Sequence, residues 1–165
     1  MTSLFRQRNT PNGVHTIPFM ELEEHPQALF DAVLAAHPLW LTRRATEVAA
    51  GRVGPDVTSP AVAEATRWLS TELSSFLSTD VDEQRMNPLQ IIRQSTRPVA
   101  AVLRAAGVPE PVRDEFEQRG MPEDPYGFGP LTWQDMGDDV HEAGITWGAW
   151  KAATFLTRRR AEGRA

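Results

Sequence analysis

The segment Ser59–Phe76, with the sequence SPAVAEATRWLSTELSSF, decides the fold class of this 165-residue chain. It opens with serine and proline, a pair that suits the N-cap and the first position of a helix. Apolar residues then recur every three or four positions, as on the buried side of an amphipathic helix. The pattern predicts a helix that begins at Ser59-Pro60. Its core-facing residues are Val62, Ala65, Leu69, Leu73 and Phe76.

The residues before this segment predict two further helices. The first begins near Pro26, and Pro38 ends or bends it, because proline lacks the N–H that a helix interior needs. A second helix runs from about Leu39 to Ala50 and stops at Gly51. His37 is then expected at a helix end, where the helix dipole favours a partly positive imidazole.

The pair Asn87-Pro88 repeats the cap-and-proline signal. Apolar residues from Leu89 to Ala106 follow in a seven-residue pattern that Gly107 closes. Pro98 lies inside this pattern, so we expect either a kinked helix or two collinear pieces around Arg97.

Helical signals continue to the end of the chain, and a helical bundle is the fold that they predict. No strand-like alternation persists for more than four residues, and no internal repeat is found. A short helix is predicted over Pro111–Arg119, with Val112 and Phe116 facing inward, and an irregular Pro/Gly-rich loop follows over 120–130. Two helices complete the prediction. The first covers Thr132–Ala143 and is broken by Gly144, and the last covers Ile145–Arg160. The fold class is therefore all-α, an irregular bundle of about six helices. Residues 1–20 form an extended arm, and residues 21–165 form one domain.

The composition bounds the class of protein and its partners. With 41% hydrophobic and 24% charged residues, the chain has the make-up of one soluble globular domain. The absence of cysteine excludes disulfides and thiolate metal sites, and the net charge of −5 argues against non-specific binding to nucleic acid or anionic membranes. No stretch is apolar enough for a secretory leader or a membrane span, so we expect a cytoplasmic protein with no membrane partner.

One cluster of residues could carry metal chemistry. Asp138 and His141 stand three residues apart, the spacing at which helical bundles offer a carboxylate and an imidazole to one metal, and Glu142 is adjacent. Further ligands would have to come from the first helix; the nearest candidates are Glu21, Glu24 and His25. The alternative is a solvated acidic face near a helix N-terminus, which also includes Asp135 and Asp139. No nucleophile elbow and no phosphate-binding glycine loop occur, so we expect no cofactor and lean against an enzyme.

The last third of the chain is rich in aromatic residues, and it supplies the leading hypothesis for function. These residues either form a satellite core that holds the 120–130 loop, or an exposed patch that binds a partner. We favour a non-catalytic protein that binds another macromolecule, most simply a protein. The residues expected to contact it are Tyr126, Phe128, Trp133, Trp147, Trp150, Arg158 and Arg159. A further alternative is nucleic-acid association through the basic tail Arg158–Arg160. The oligomeric state is left open.

Residues 87–151 carry a resemblance to other proteins. The string NPLQIIRQSTRPVAAVLRAAGVPEPVRDEFEQRGMPEDPYGF, followed by ITWGAWKA, resembles a group of small actinobacterial proteins in its V-L-R-A-A-G-V-P, V-R-D-x-F and W-G-x-x-K-A stretches. The resemblance implies no activity, and it transfers no functional residue. It agrees with the strong preference for arginine over lysine, which indicates a bacterium with a GC-rich genome.

Overall fold

Helices account for the regular structure of the protein. The structure, a computed structural model, describes residues 24–79, 87–130 and 132–163, and no strand occurs among them. The all-α fold class is therefore confirmed, while the expected arm over residues 1–20 lies outside the described residues. The elements are α1 (Glu24–Ala49), α2 (Pro55–Ser78), α3 (Pro88–Gln94), α4 (Arg97–Ala105), α5 (Glu115–Gly120), a short 3-10 turn (Trp133–Asp135) and α6 (Asp138–Ala161).

Helix α1 continues past Pro38, which was expected to end or bend it. Pro38 lies inside the helix, and the residues predicted to start a second helix continue the same one. The reason is packing, because Val33, His37 and Leu41 keep a helical spacing across the proline and all three are fully buried. Burial of this continuous face outweighs the hydrogen bond that the proline removes.

Helix α2 buries the residues that the opening segment predicts, but it starts five residues earlier. Gly54 is its N-cap and Pro55 takes the first turn, so Ser59 and Pro60 lie within the helix. Buried Thr58 gives the extra turn a contact with the core. A second proline ahead of the predicted start thus displaces the cap.

Three predictions for residues 87–107 are confirmed: the cap at Asn87, an interruption close to Arg97 and the stop at Gly107. The Asn87 side chain accepts a hydrogen bond of 2.9 Å from the backbone N–H of Gln90 and so caps α3. The helix is interrupted at Ser95 and Thr96, and α4 continues beyond them. Gly107 follows the end of α4 with a φ of +75°, a conformation that favours glycine. Counted as one bent helix, α3 and α4 bring the number of helices in the described residues to five.

The C-terminal prediction of two helices separated by Gly144 is wrong. The short turn over Trp133–Asp135 is separated from α6, and α6 then passes through Gly144 without a break. A glycine is required at position 144 by packing, because any Cβ there would collide with the ring of Trp133. The glycine therefore allows a close contact between the turn and the helix.

The core lies where α1 packs against both α2 and α6, and α2 also packs against α3 and α4. A row of aromatic rings crosses the three long helices. Phe30 of α1 and Phe76 of α2 meet edge to face with ring centres 5.9 Å apart, and Phe76 lies 6.4 Å from Trp147 of α6. None of the helices in the described part of the chain is long and apolar enough to cross a membrane.

Candidate functional site

A groove of about 710 Å³, open to solvent, lies between α1 and the segment that connects α4 to the short turn. We call it the α1–loop groove. Trp40 of α1 and Phe128 of the loop form its apolar base, and both side chains are almost entirely buried. Val112 stands on its rim. Three arginines and three acids also line it: Arg43, Arg44, Arg113, Glu47, Asp124 and Asp135.

The loop wall of the groove is held together by the buried carboxylate of Asp124. Its two oxygens accept the backbone N–H groups of Phe128 and Gly129, at 2.9 and 2.6 Å. Burial raises the pKa of the Asp124 carboxyl above its usual value, and the two hydrogen bonds together with nearby Arg113 and Arg93 work in the opposite direction. A segment rich in proline and glycine thus has a fixed conformation.

Tyr126 adds a second attachment for the same loop. Its hydroxyl donates to the carbonyl of Val108 at 2.8 Å, and its ring centre lies 5.6 Å from that of Phe128. Both rings are buried, with 2% and 1% of their surface exposed. The loop is therefore tied to the end of α4 as well as to itself.

Two arginine side chains brace the groove. Arg113 lies in the loop wall itself and donates to the carbonyl oxygens of Met121 and Asp124, both at 2.9 Å. Arg44 of α1 donates to Glu47 at 2.7 Å and across the groove to the carbonyl of Gly127 at 3.3 Å. Arg113 thus fixes the loop, and Arg44 links the helix to it.

Arg43 differs from these two arginines. It lies on the groove and is exposed, and it forms no ion pair or hydrogen bond with another described side chain. The acids of the groove are already engaged: Glu47 with Arg44, Asp124 with the loop N–H groups, and Asp135 with the N–H of Thr132 at 2.7 Å. A ligand entering the groove therefore meets, in Arg43, a guanidinium that no described residue already binds.

The structure does not bring the residues predicted to bind a partner together on one surface. Tyr126, Phe128 and Trp147 belong to the core, so of the two alternatives for these three residues the structure favours the core over the exposed patch. Two aromatic clusters exist instead of one, since Tyr126 pairs with Phe128 while Trp147 pairs with Phe76 of α2. The other members are partly accessible: Trp133, Trp150 and Arg158 are half-buried and Arg159 is exposed.

The alternative metal site finds too few ligands among the described residues. Asp138, His141 and Glu142 do share the first turns of α6, but no group of three or more potential ligands comes together in the described part of the chain. Asp135 belongs to the separate 3-10 turn, so the predicted row of four carboxylates on one helix is wrong. Of the expected partners, Glu21 lies outside the described residues.

His37 is the polar residue whose predicted position differs most from its position in the structure. It sits in the middle of α1 and is fully buried, not at a helix end. Its Nδ1 lies 2.9 Å from the hydroxyl of Thr66 in α2, and its Nε2 lies 2.8 Å from the hydroxyl of Ser95 between α3 and α4. Burial lowers the pKa of His37 from 6.5 to about 4, so the ring is neutral at pH 7. His37 thus links α1 both to α2 and to the segment between α3 and α4.

The hydrogen bonds around His37 also fix its role as structural. The Thr66 hydroxyl is 2.9 Å from the carbonyl of Val62, and the Ser95 hydroxyl is 2.6 Å from that of Ile92. A neutral imidazole has one N–H, so its other ring nitrogen must accept from one of these hydroxyls, which then turns away from its carbonyl. The pair of histidine and serine is sealed from solvent and cannot meet a substrate.

Sequence reasoning missed the groove because its residues are far apart along the chain. The signals that could have found it are the Arg43-Arg44 pair next to Trp40 and the D-P-Y-G-F-G turn at 124–129. Val112 and Phe116 were predicted to face the core, and both are exposed instead.

Comparison with known proteins gives no match to a family model, to a curated protein or to a solved structure. The resemblance of residues 87–151 to actinobacterial proteins therefore stays a prediction.

Proposed function

We propose that the protein is a binding domain, and that it holds a short segment of a partner protein in the α1–loop groove. The observation that carries the proposal is the exposed guanidinium of Arg43, which has no hydrogen-bond or ion-pair partner among the described residues, beside a rigid groove that exposes the apolar side chain of Val112. This keeps the class of function predicted from the sequence but assigns it to another surface. A cytoplasmic location belongs to the same proposal, and the absence of cysteine supports it.

Apolar side chains at and near the groove are left uncovered by the described residues. Val112 lines the groove and is fully exposed, and Phe116 in α5, four residues further along the chain, does not line the groove but has 86% of its surface exposed. All the described side chains of α5 are exposed, so this short helix does not bury Phe116 against the core. Large apolar side chains grouped beside a groove mark an interaction site, and covering each would contribute about 1.5–3 kcal/mol to binding.

The charges of the groove favour a protein partner over a nucleic acid. Its three arginines are matched in number by three acids, and the whole chain carries a net charge of −5. A surface that follows a phosphate backbone needs a clear excess of positive charge. One available cation next to apolar side chains fits instead a peptide with a carboxylate beside a leucine or an aromatic residue.

The walls of the groove are formed before any ligand arrives. The bonds of Asp124, Arg113 and Arg44 hold the loop in place, so little ordering entropy remains to be lost on binding. The volume of about 710 Å³ lies within the range of specific ligand sites and can hold two or three side chains. Among the described residues, no histidine or hydroxyl side chain lines the groove, and its three acids are each engaged with an arginine or a backbone N–H, which supports binding rather than catalysis.

Peptide selection tests the proposal directly. A phage-displayed library of random peptides is panned on the immobilised full chain, and the affinity of selected peptides is measured by fluorescence anisotropy. Arg43→Glu should raise their Kd at least about tenfold, because it replaces the available cation by an anion. Val112→Asp should have a similar effect. Arg67→Glu, the same charge reversal on an exposed arginine of α2 outside the groove, is the matched control.

The proposal predicts selected peptides that contain an acidic residue next to an apolar one. It is refuted if the library yields no binder, or if selected peptides bind the Arg43→Glu protein as well as they bind the wild type. Circular dichroism of each variant verifies that the helical content is unchanged, since both groove positions are exposed.

A further inference from the structure

The outward face of α6 carries a regular seam. The inward face of this helix buries Val140, Gly144 and Trp147 against the rest of the bundle. On the opposite side, residues recur at alternating intervals of three and four, the spacing of helices that pair side by side. We call these six residues the α6 seam: Glu142, Ile145, Ala149, Ala152, Leu156 and Arg159.

The seam is apolar in its middle and charged at its ends. Ile145 and Leu156 are each 53% exposed, although both are large aliphatic residues. Ala149 and Ala152 lie between them, and such small side chains let a second helix approach closely. Glu142 lies at the N-terminal end of the seam, and Arg159 lies at its C-terminal end.

We infer that two copies of the chain associate through this seam, with their α6 helices antiparallel. In one register, each of the six seam residues faces a complementary seam residue of the second copy. Ile145 then faces Leu156 of the second copy, and Ala149 faces Ala152. The same register sets Glu142 opposite Arg159, and the two-fold axis repeats each pair.

Charge decides the direction of the two helices. The N-terminal end of α6 is acidic, with Asp138, Asp139 and Glu142, while Arg158–Arg160 make the C-terminal end basic. A parallel pair would bring acids against acids and arginines against arginines, which repel. The antiparallel pair brings opposite charges together and also opposes the two helix dipoles. The seam is therefore self-complementary in one orientation only.

This surface is separate from the α1–loop groove, because no residue of α6 lines the groove. Pairing through α6 goes beyond the proposed function, and it would give each dimer two grooves. A bivalent protein binds a repeated or dimeric partner more strongly than one domain does.

Sedimentation velocity of the full chain over a concentration series tests the inference. The wild type should show a reversible monomer–dimer equilibrium. Glu142→Arg and Arg159→Glu each place like charges opposite one another, so either should weaken the dimer at least about tenfold. The double variant Glu142→Arg/Arg159→Glu restores opposite charges and should return to within about threefold of the wild type.

Glu64→Arg and Arg67→Glu, on exposed positions of α2, should leave the equilibrium unchanged. A wild type that stays monomeric up to about 0.5 mM overturns the inference, since a functional contact would have to be stronger than that. A double variant as weak as the single ones overturns the register.

A distance measurement tests the orientation. Because the chain has no cysteine, Arg160→Cys provides a single attachment site for a spin label at the exposed end of α6, on the same side as the seam. At a rise of 1.5 Å per residue, the antiparallel register separates the two labels by about 30 Å. Pulsed electron resonance should find this distance, whereas labels less than about 20 Å apart would indicate a parallel pair and contradict the inference.

Discussion

His37 should make the folded protein sensitive to mild acid. Its imidazole is buried between Thr66 and Ser95, and burial lowers its pKa from 6.5 to about 4. Between these two values the unfolded chain binds a proton that the folded chain does not bind. The free energy of unfolding therefore falls as the pH drops through this window and is recovered as the pH rises.

The size of the effect follows from the shift. A lowering from 6.5 to about 4 corresponds to a loss of about 3 kcal/mol once protonation is complete. About 2 kcal/mol of this should be lost between pH 7 and pH 5. That is a large part of the stability of a domain of this size, about 5–15 kcal/mol.

Urea unfolding at low protein concentration, at pH 7, 6 and 5, measures the effect in the wild type and in His37→Gln. Glutamine keeps an amide that can bond to the same hydroxyls but does not titrate. Other titrating groups are common to both proteins, so their contributions cancel in the difference. The wild type should lose about 2 kcal/mol more than the variant between pH 7 and pH 5. Parallel pH profiles for the two proteins would refute the assignment of His37 as a buried neutral group.

Three further substitutions probe the packing of α6 and the loop wall of the groove. Gly144→Ala should destabilise the fold by about 1–3 kcal/mol, because its Cβ collides with the ring of Trp133. In Gly148→Ala, on the same helix, the added Cβ meets nothing within 4 Å, so this variant should stabilise the fold by up to about 1 kcal/mol. The melting temperature should therefore fall for Gly144→Ala and rise for Gly148→Ala. A shift in the same direction for both variants would contradict this interpretation of the packing. Asp124→Ala removes the acceptor of two loop N–H groups and should cost about 2–4 kcal/mol in urea unfolding, with peptide binding also lost; an unchanged midpoint would show that the carboxylate does not hold the loop.

The fold class could be predicted because the decisive signals are local. The apolar spacing of Val62 to Phe76 follows from which side of α2 is buried, and Asn87 caps α3 through a residue three positions away. Pro38 and Gly144 were misread for the opposite reason. Whether a proline or glycine ends a helix depends on what packs around it, and those neighbours come from distant parts of the chain.

The candidate site could not be assembled from the sequence for the same reason. Arg44 and Gly127 meet across the groove although 83 residues separate them. Aromatic residues close together in sequence predicted one cluster, yet Phe128 pairs with Tyr126 at the groove and Trp147 packs by Phe76. Amphipathic spacing also places Val112 and Phe116 inward, but the structure leaves both exposed, Val112 ahead of α5 and Phe116 within it.

The central claim is that the groove between α1 and the loop receives a peptide, and chemical-shift mapping tests it most directly. Backbone amide signals of the labelled full chain are followed while a selected peptide is added. The largest changes should fall on Trp40–Glu47 and on residues 111–130, and the Arg43→Glu protein should show none of them at the same peptide concentration. Changes centred on the outward face of α6, or distributed without regard to the groove, would contradict the account.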